Sequence, residues 1–448
     1  VPASQPSSNR QILTIAVPVA LSSQIDTLVG IADIFIVSRL GADAISAVGM
    51  ARLFTMVLGV VMVSATTGAF AMVAQHIGGG RLRDASATAK QAFTLVTLIT
   101  SSLCVVGWFG ARVSLEAMSL APAVVDLGTT YLRVFFTGMV VLSLNHAVNS
   151  CFYGTGDART PLYINIAASL IKVGATYVLV LGPFGLPSFG VAGAAAGNLF
   201  GGLCGLVLGF LVIYSGRCRL RLLADTSYRL DAELARRILR IGIPAALQGM
   251  FRNGSGLVFA KLVALTGAGT AAVAAYSIGN QIERLLRRTS LAFGTAATTL
   301  VGNSLGAQNP QAATQRGGAA NQVGFVAMLV CGLPVVLLAR PFMQLFTNDP
   351  EVIAIGIVYL WAVVLAEPFM CLSITAGGAM RGAGDTKPTL YYTIIAQWLV
   401  RLPVGYLLAF SVGLQEQGLW IALVLLSIVQ GLLTWRKYRQ GLWLDRVI

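Results

Sequence analysis

The chain has 448 residues, 56% of them hydrophobic and only 11% charged, with a mean hydropathy of +0.78. Soluble domains carry about 25% charged residues. The composition therefore excludes an ordinary soluble enzyme, a disordered chain and a disulfide scaffold, and leaves a polytopic membrane protein. The 49 glycines suit that class, because small residues let membrane helices approach closely.

Six cysteines (Cys104, Cys151, Cys204, Cys218, Cys331 and Cys371) stand singly, with no C-x-x-C pair. They read as small buried hydrophobes rather than metal or redox groups. His76 and His146 alone cannot complete a zinc site, so no metal is expected. No short cleavable signal precedes the first apolar run, which is long enough to span a bilayer.

Taken in chain order, the apolar runs predict twelve spans. The first runs from about Ile12 to Val37 and the second from about Ile45 to Ile77. The others centre near Leu98, Val141, Leu170, Leu203, Leu257, Leu291, Val330, Val363, Ile395 and Leu425. Backbone polar groups in lipid must be bonded within the structure, and these runs lack the alternation of barrel strands, so they are helices.

The net charge of +14 would suggest nucleic acid in a soluble protein. Here its distribution is a topology signal, and no nucleic-acid partner is expected. With both termini cytoplasmic, the inner segments hold nineteen Lys and Arg residues, seven of them between Arg217 and Arg240. The outer loops hold only Arg39, Arg112 and Arg340. This is the positive-inside pattern.

The chain also repeats itself. Ile12-Leu13-Thr14-Ile15-Ala16-Val17-Pro18 returns as Ile238-Leu239-Arg240-Ile241-Gly242-Ile243-Pro244. Tyr153-Gly154-Thr155-Gly156-Asp157 returns as Arg381-Gly382-Ala383-Gly384-Asp385. The expected fold class is an all-α membrane protein: twelve transmembrane helices in two six-helix lobes related by a pseudo-twofold axis along the membrane normal. Residues 1–215 form the first lobe, 216–237 a basic cytoplasmic linker and 238–448 the second lobe. Such duplicated bodies place a substrate cavity between the halves and work by alternating access. No G-x-x-x-x-G-K-[ST] is present, which argues against a nucleotide-driven pump.

Several local motifs carry a resemblance. They are Ala32-Asp33-Ile34-Phe35 leading to Leu40-Gly41, Val73-Ala74-Gln75 followed by Gly78-Gly79-Gly80, and the two Gly-x-Gly-Asp turns after spans four and ten. In the eighth span, Ile282-Glu283-Arg284-Leu285 and Thr299-Leu300-Val301-Gly302 running into Gly306 add to them. Over essentially its whole length the sequence resembles the multidrug and toxic compound extrusion (MATE) family, in its DinF-like branch. The resemblance implies export of organic compounds, often cationic, in exchange for protons or sodium ions. It implies no other cofactor, no enzymatic activity, and a monomer in a bacterial inner membrane, with the bilayer and an organic small molecule as its partners.

An ionisable group deep in a bilayer costs at least about 2.5–3.5 kcal/mol, so such groups mark function or specific pairing. Four acids fall within spans: Asp26, Asp33, Glu283 and Glu367. Several bases accompany them, of which Arg133 and Lys261 are expected to snorkel toward the interface. Asp33 matches the first-helix acid that the family uses for coupling. Around it the resemblance places Asn149 on the fourth span and Asn198 on the sixth. On the fifth span, where the family often has an Asn and an Asp four residues apart, this chain has Lys172 and Thr176. A lysine there supplies the charge that a sodium ion would bring, and the lost carboxylate removes a hard oxygen ligand. The expectation is that Asp33 pairs with Lys172 until protonation releases it. The other reading has Lys172 snorkelling and Asp33 pairing elsewhere.

In the second lobe the family's seventh-helix Glu and tenth-helix Asp fall at Arg252 and Met370, with Glu367 close by. Glu283 is expected either to meet a cationic substrate or Arg284 in the cavity, or to hold its helix by an ion pair. Under the repeat, Asp26 and Arg252 are equivalent, and both are expected on the cleft walls, bridging the lobes in one state. Phe35, Phe54, Phe136, Tyr153, Phe251, Tyr276 and Phe293 are candidates for the cavity lining, although packing explains such residues equally well. The alternative function is a lipid-linked oligosaccharide flippase of the same superfamily, for which Arg52 and Arg252 would supply phosphate-binding groups. A channel or structural membrane protein is a third class, which has no need of a duplicated fold with buried acids.

Overall fold

The structure is a computed structural model that describes residues 8–118, 120–183, 187–216 and 218–444, without the side chains of residues 52, 53 and 56–58. Among the described residues there are twelve long helices. In the first repeat these are α1 (Ser8–Ser38), α2 (Ala42–Gly78), α3 (Leu82–Glu116), α4 (Pro122–Thr155), α5 (Arg159–Leu181) and α6 (Gly190–Tyr214). In the second they are α7 (Ala232–Ala264), α8 (Gly269–Gly306), α9 (Pro310–Leu337), α10 (Pro350–Gly382), α11 (Lys387–Ser411) and α12 (Gln415–Arg439). Each expected span coincides with one of them. Ten are long and apolar enough to cross a membrane on length and composition. The two that fall short, α7 and α8, carry Arg236, Arg237, Arg240 and Arg252, and Glu283, Arg284, Arg287 and Arg288 respectively. A six-residue helix, Ala339–Gln344, was not anticipated.

Local chemistry sets the ends. The repeated Gly-x-Gly-Asp motif is a turn in which Gly156 (φ 87°) and Gly384 (φ 84°) take the left-handed conformation that a side chain would strain. Asp157 then caps α5, its Oδ1 accepting from the Arg159 and Thr160 amides at 3.1 and 3.0 Å. Asn309 and Asp349 do the same for α9 and α10, each followed by a proline at the first helical position. In α11, π-helical stretches at Ile395–Arg401 and Leu407–Ser411 flank Pro403, whose missing N–H interrupts the regular ladder.

The contacts divide the chain into two units, residues 21–246 and residues 1–20 with 247–448. In the first unit α4 packs on α2, α3 and α6, α2 on α3, and α5 on α6. In the second α10 packs on α8, α9 and α12, α8 on α9, and α11 on α12. The duplicated sequence thus produces the same order of neighbours twice. The boundaries fall inside α1 and α7 rather than at the linker. The physical reason for α7 is a close crossing in the first unit, where glycines let its first half lie against α2. A Cβ on Gly242 would collide with the Ser64 carbonyl, and one on Gly68 with that of Ile238.

The linker is irregular but fixed to α3. Lys90, only 4% exposed, donates to the Leu223 and Thr226 carbonyls at 2.7 and 2.8 Å. Gln91 donates to the Arg229 carbonyl and accepts from the Asp231 amide at 3.0 Å. Burial pushes the Cys218 thiol up, in keeping with an inert residue.

A glycine on α6 at every fourth position, from Gly193 to Gly209, builds the wall that carries the first candidate site. A Cβ on Gly193 would strike the Leu179 backbone, one on Gly197 would strike Thr176, one on Gly201 would meet Lys172 and one on Gly205 would meet Asn145. Gly174, on α5, faces open space. Gly193→Ala should therefore destabilise the protein by about 1–3 kcal/mol through overpacking. Gly174→Ala should be neutral or stabilise by up to about 1 kcal/mol. Thermal unfolding in detergent, compared with the unsubstituted protein, checks both.

Candidate functional site

The unit of residues 21–246 buries one carboxylate with a base against it. Asp33, 7% exposed on α1, has its Oδ2 2.8 Å from Lys172 Nζ on α5. The contact is one of charge rather than of aligned hydrogen bonding, since neither Asp33 oxygen has a hydrogen-bond partner among the described residues. The pair exists because the α5–α6 crossing is so close. With Gly201 against its Cβ, the base of the Lys172 side chain is held while its long stem reaches to α1.

Thr176 lies one turn along α5 from Lys172, fully buried, with its hydroxyl unpartnered among the described residues. Asn145 and Asn149, one turn apart on α4, each leave a buried amide oxygen without a partner. Asn198 spends one N–H within its own helix, donating to the Ala194 carbonyl at 3.3 Å. The first unit thus brings Asp33 and Lys172 together and leaves unsatisfied acceptors on α4 and α5.

Asp26 behaves differently from the expectation. It accepts from Asn165 Nδ2 on α5 at 3.0 Å, and the same amide nitrogen reaches the Ser22 hydroxyl and carbonyl at 2.8 and 3.1 Å. Its partner therefore lies within its own unit, which runs against the expected bridge to Arg252. The cause is local, since a neutral amide on the neighbouring helix already occupies the carboxylate. Arg252 is half-buried on α7 and makes no ion pair among the described residues. The Arg52 side chain lies outside the described residues.

The second unit holds a denser charged cluster. Arg287 on α8 pairs with Glu283 one turn away and lies 3.4 Å from Glu367 Oε1 on α10. Tyr359 on α10 donates its hydroxyl to the other oxygen of Glu283, and Ser290 donates to Glu367 Oε2 at 3.4 Å. Both carboxylates are closed off from solvent, with side chains 12% and 3% exposed. Glu283 does not pair with Arg284, which instead donates to Asn280 Oδ1 at 3.0 Å. Helical spacing explains this: residues four apart share a face, whereas adjacent residues point about 100° apart. The Glu283–Arg287 pair lies within α8, and the contacts that cross to α10 are the Tyr359 hydrogen bond and the approach of Arg287 to Glu367.

Aromatic rings cover the cluster. Tyr359 sits edge-on to Trp420 with centroids 4.6 Å apart, and Tyr276 stacks on Trp420 at 6.0 Å. Arg401, 7% exposed in the first π-helical stretch of α11, lies over the Phe259 ring at 3.8 Å and donates to Gln397 at 3.3 Å. The cation–π position is thereby already filled by the chain itself. Of the other rings considered for a lining, Phe136 and Phe293 are buried in the packing, Phe251 packs edge-on against Trp398, and Phe35 lies under Arg39. Arg133 lies exposed over Trp108, as a snorkelling side chain does.

A duplicated all-helical body with acids sealed inside each half is that of a polytopic membrane transporter. The sequence profile of the MatE family matches residues 18–178 and 244–407, one stretch in each repeat, and the chain belongs to that family of transporters, which are not enzymes. It is 26% identical over 448 residues to a probable multidrug resistance protein NorM of Thermotoga maritima, covering 99% of this chain and 95% of that one. A NorM relative from Mesorhizobium japonicum is 29% identical over 449 residues, covering 96% and 94%. In fold, the chain matches an outward-facing multidrug resistance MATE family transporter of the MOP superfamily with a TM-score of 0.90 at 20% identity, covering 97% and 96%. A MOP superfamily transporter from Pyrococcus furiosus, described as having reversed binding-pocket polarity, matches at 0.89 and 20%, with the same coverage.

Breaking the second cluster should be costly. Arg287→Leu leaves two carboxylates without their cation and should destabilise the protein by about 3–5 kcal/mol. Adding Glu283→Gln and Glu367→Gln to it should recover most of that loss. Thermal unfolding of the single and triple variants checks the sign of the recovery.

Proposed function

We propose that this transporter exports organic, cationic or amphipathic compounds in exchange for protons, with Asp33 and Lys172 as the coupling pair. The carrying observation is the 2.8 Å separation of Lys172 Nζ from Asp33 Oδ2. An ammonium at that distance stands where a sodium ion would need to bind, and a coordination shell of several oxygens cannot form around it. A proton is the ion that a lone buried carboxylate can still take up. Protonation of Asp33 removes the attraction that holds Lys172, and the unpartnered oxygens of Thr176, Asn145 and Asn149 are acceptors to which the freed ammonium can turn. Deprotonation restores the pair. Asn198 and Asn149 complete the polar surround on α6 and α4.

The names of the relatives, multidrug resistance proteins in each case reported above, support export of organic compounds over the flippase reading. Lys and Arg are concentrated in the linker and in the last turn of α12, which supports cytoplasmic termini in a bacterial inner membrane. The energetics suffice. One charge moving through about 100 mV yields about 2.3 kcal/mol, enough for a concentration ratio of roughly fortyfold for a neutral amphipathic substrate, whereas a monovalent cation exchanged one for one moves no net charge and is driven by the proton concentration difference alone.

In proteoliposomes, Asp33→Asn should lower export driven by a proton gradient by at least roughly tenfold, with thermal unfolding showing that the variant is folded. A sodium gradient alone should drive none. Equal export by the Asn variant, or full export on sodium alone, removes the reading.

A further inference from the structure

In the second unit, a hollow of about 830 Å³ opens between α9 and the C-terminal end of α12. We propose that it binds an anionic phospholipid. The hollow is built in advance of any ligand. Tyr438, 6% exposed at its floor, donates to the Thr314 carbonyl at 2.9 Å. Gly317 lets α9 approach the Tyr438 hydroxyl, which a Cβ would strike at 2.5 Å. Beyond α12, Gly441 turns the chain back at φ 73°. Trp443 thereby stacks on Tyr438 at 5.2 Å and donates its indole N–H to the Tyr438 carbonyl at 2.7 Å. Two hydrogen bonds and one ring stack hold these walls in place.

The lining states the chemistry of what fits. Most of it is apolar, with Phe325, Val326, Leu372 and Leu432 among the walls. Within it lies Asn321, 3% exposed, which accepts from Thr375 Oγ1 at 2.6 Å and has its amide nitrogen unpartnered. At the rim is Arg439, its guanidinium over the Trp435 ring at 4.9 Å. A second hollow of about 460 Å³ adjoins across Trp435 and is lined by Arg436 as well as Arg439. Both arginines are exposed, and neither makes an ion pair among the described residues.

An apolar hollow, one buried donor and two exposed guanidiniums without an ion pair among the described residues match an amphiphile with acyl chains, ester acceptors and a phosphodiester. Guanidinium forks pair with phosphate oxygens in two parallel hydrogen bonds. The positive-inside pattern assigns this end of α12 to the cytoplasmic leaflet, where basic pockets between helices hold acidic headgroups. The two arginines disfavour an organic cation in this hollow.

Native mass spectrometry of the whole protein, after delipidation and titration with phosphatidylglycerol, cardiolipin or phosphatidylcholine in mixed micelles, tests this. The acidic lipids should be retained over phosphatidylcholine, and inorganic phosphate should not compete. Arg436→Gln with Arg439→Gln should lower that retention by roughly tenfold, while unfolding in lipid-free detergent stays unchanged. Asn321→Leu should weaken it independently of headgroup charge. Equal retention of phosphatidylcholine, unchanged retention in the double variant, or displacement of lipid by tetraphenylphosphonium would each overturn the proposal. None of these readouts depends on transport, so they stand apart from the coupling reading.

Discussion

A charge enclosed by helices in a bilayer has no water to fall back on, so the buried carboxylates of this protein are met by bases within it. That constraint organises both halves of this molecule. Asp33 is matched by Lys172, and Glu283 and Glu367 share Arg287. The surrounding packing follows from the need to bring those groups together. The glycine at every fourth position of α6 draws α5 close enough to fix the stem of Lys172. The tight α8–α10 contact places two carboxylates from different helices within reach of one guanidinium. Breaking a buried pair by removing one partner leaves an uncompensated charge and costs far more than the pair contributes.

The same constraint explains what could be read from the chain alone. The spans, their number and the duplication were legible, because hydropathy and repetition are properties of sequence. Two of the expected spans, α7 and α8, are less apolar than the rest, and on α8 Glu283 and Arg287 pair with each other. The Asp33–Lys172 pair was legible too, since a lysine in place of a carboxylate near a buried acid leaves few other arrangements. Arg287 as the partner of Glu283 was available in the i, i+4 spacing but was obscured by the adjacent Arg284. The Asp26–Asn165 hydrogen bond was not legible, because only charged partners were weighed for Asp26. The neutral amide of Asn165 comes from 139 residues away and leaves no local mark.

Other features needed three dimensions. Tyr359 lies 76 residues from Glu283, and nothing in its own neighbourhood distinguishes it from a packing aromatic. Arg401 looked like one basic residue among several until its guanidinium was seen against Phe259. The division of the contacts inside α1 and α7, rather than at the basic linker, depends on backbone approaches at Gly68 and Gly242. The small residues are visible in sequence, but their crossing partners are not. The turn at Gly441 that folds Trp443 beneath Tyr438 is likewise a contact between residues whose spacing alone predicts no cavity.

The two halves use the same frame for different chemistry, and the choice of base is the difference. In the first half a single carboxylate faces a lysine, a compact ammonium on a flexible stem that can turn among several acceptors. Few hydrogen bonds hold that pair, and oxygens without partners lie on the adjoining helices. In the second half a guanidinium, charged at any accessible pH, is shared by two carboxylates, with Tyr359 and Ser290 adding hydrogen bonds from two helices. Opening that arrangement would expose two acids at once and break contacts on both α8 and α10. A pair with one carboxylate, one long flexible base and unpartnered acceptors on adjoining helices has fewer contacts to break than a guanidinium anchored by two carboxylates. Duplication supplied two bodies with the same order of neighbouring helices, and a lysine in the charged cluster of one against an arginine in that of the other is the chemical difference between them.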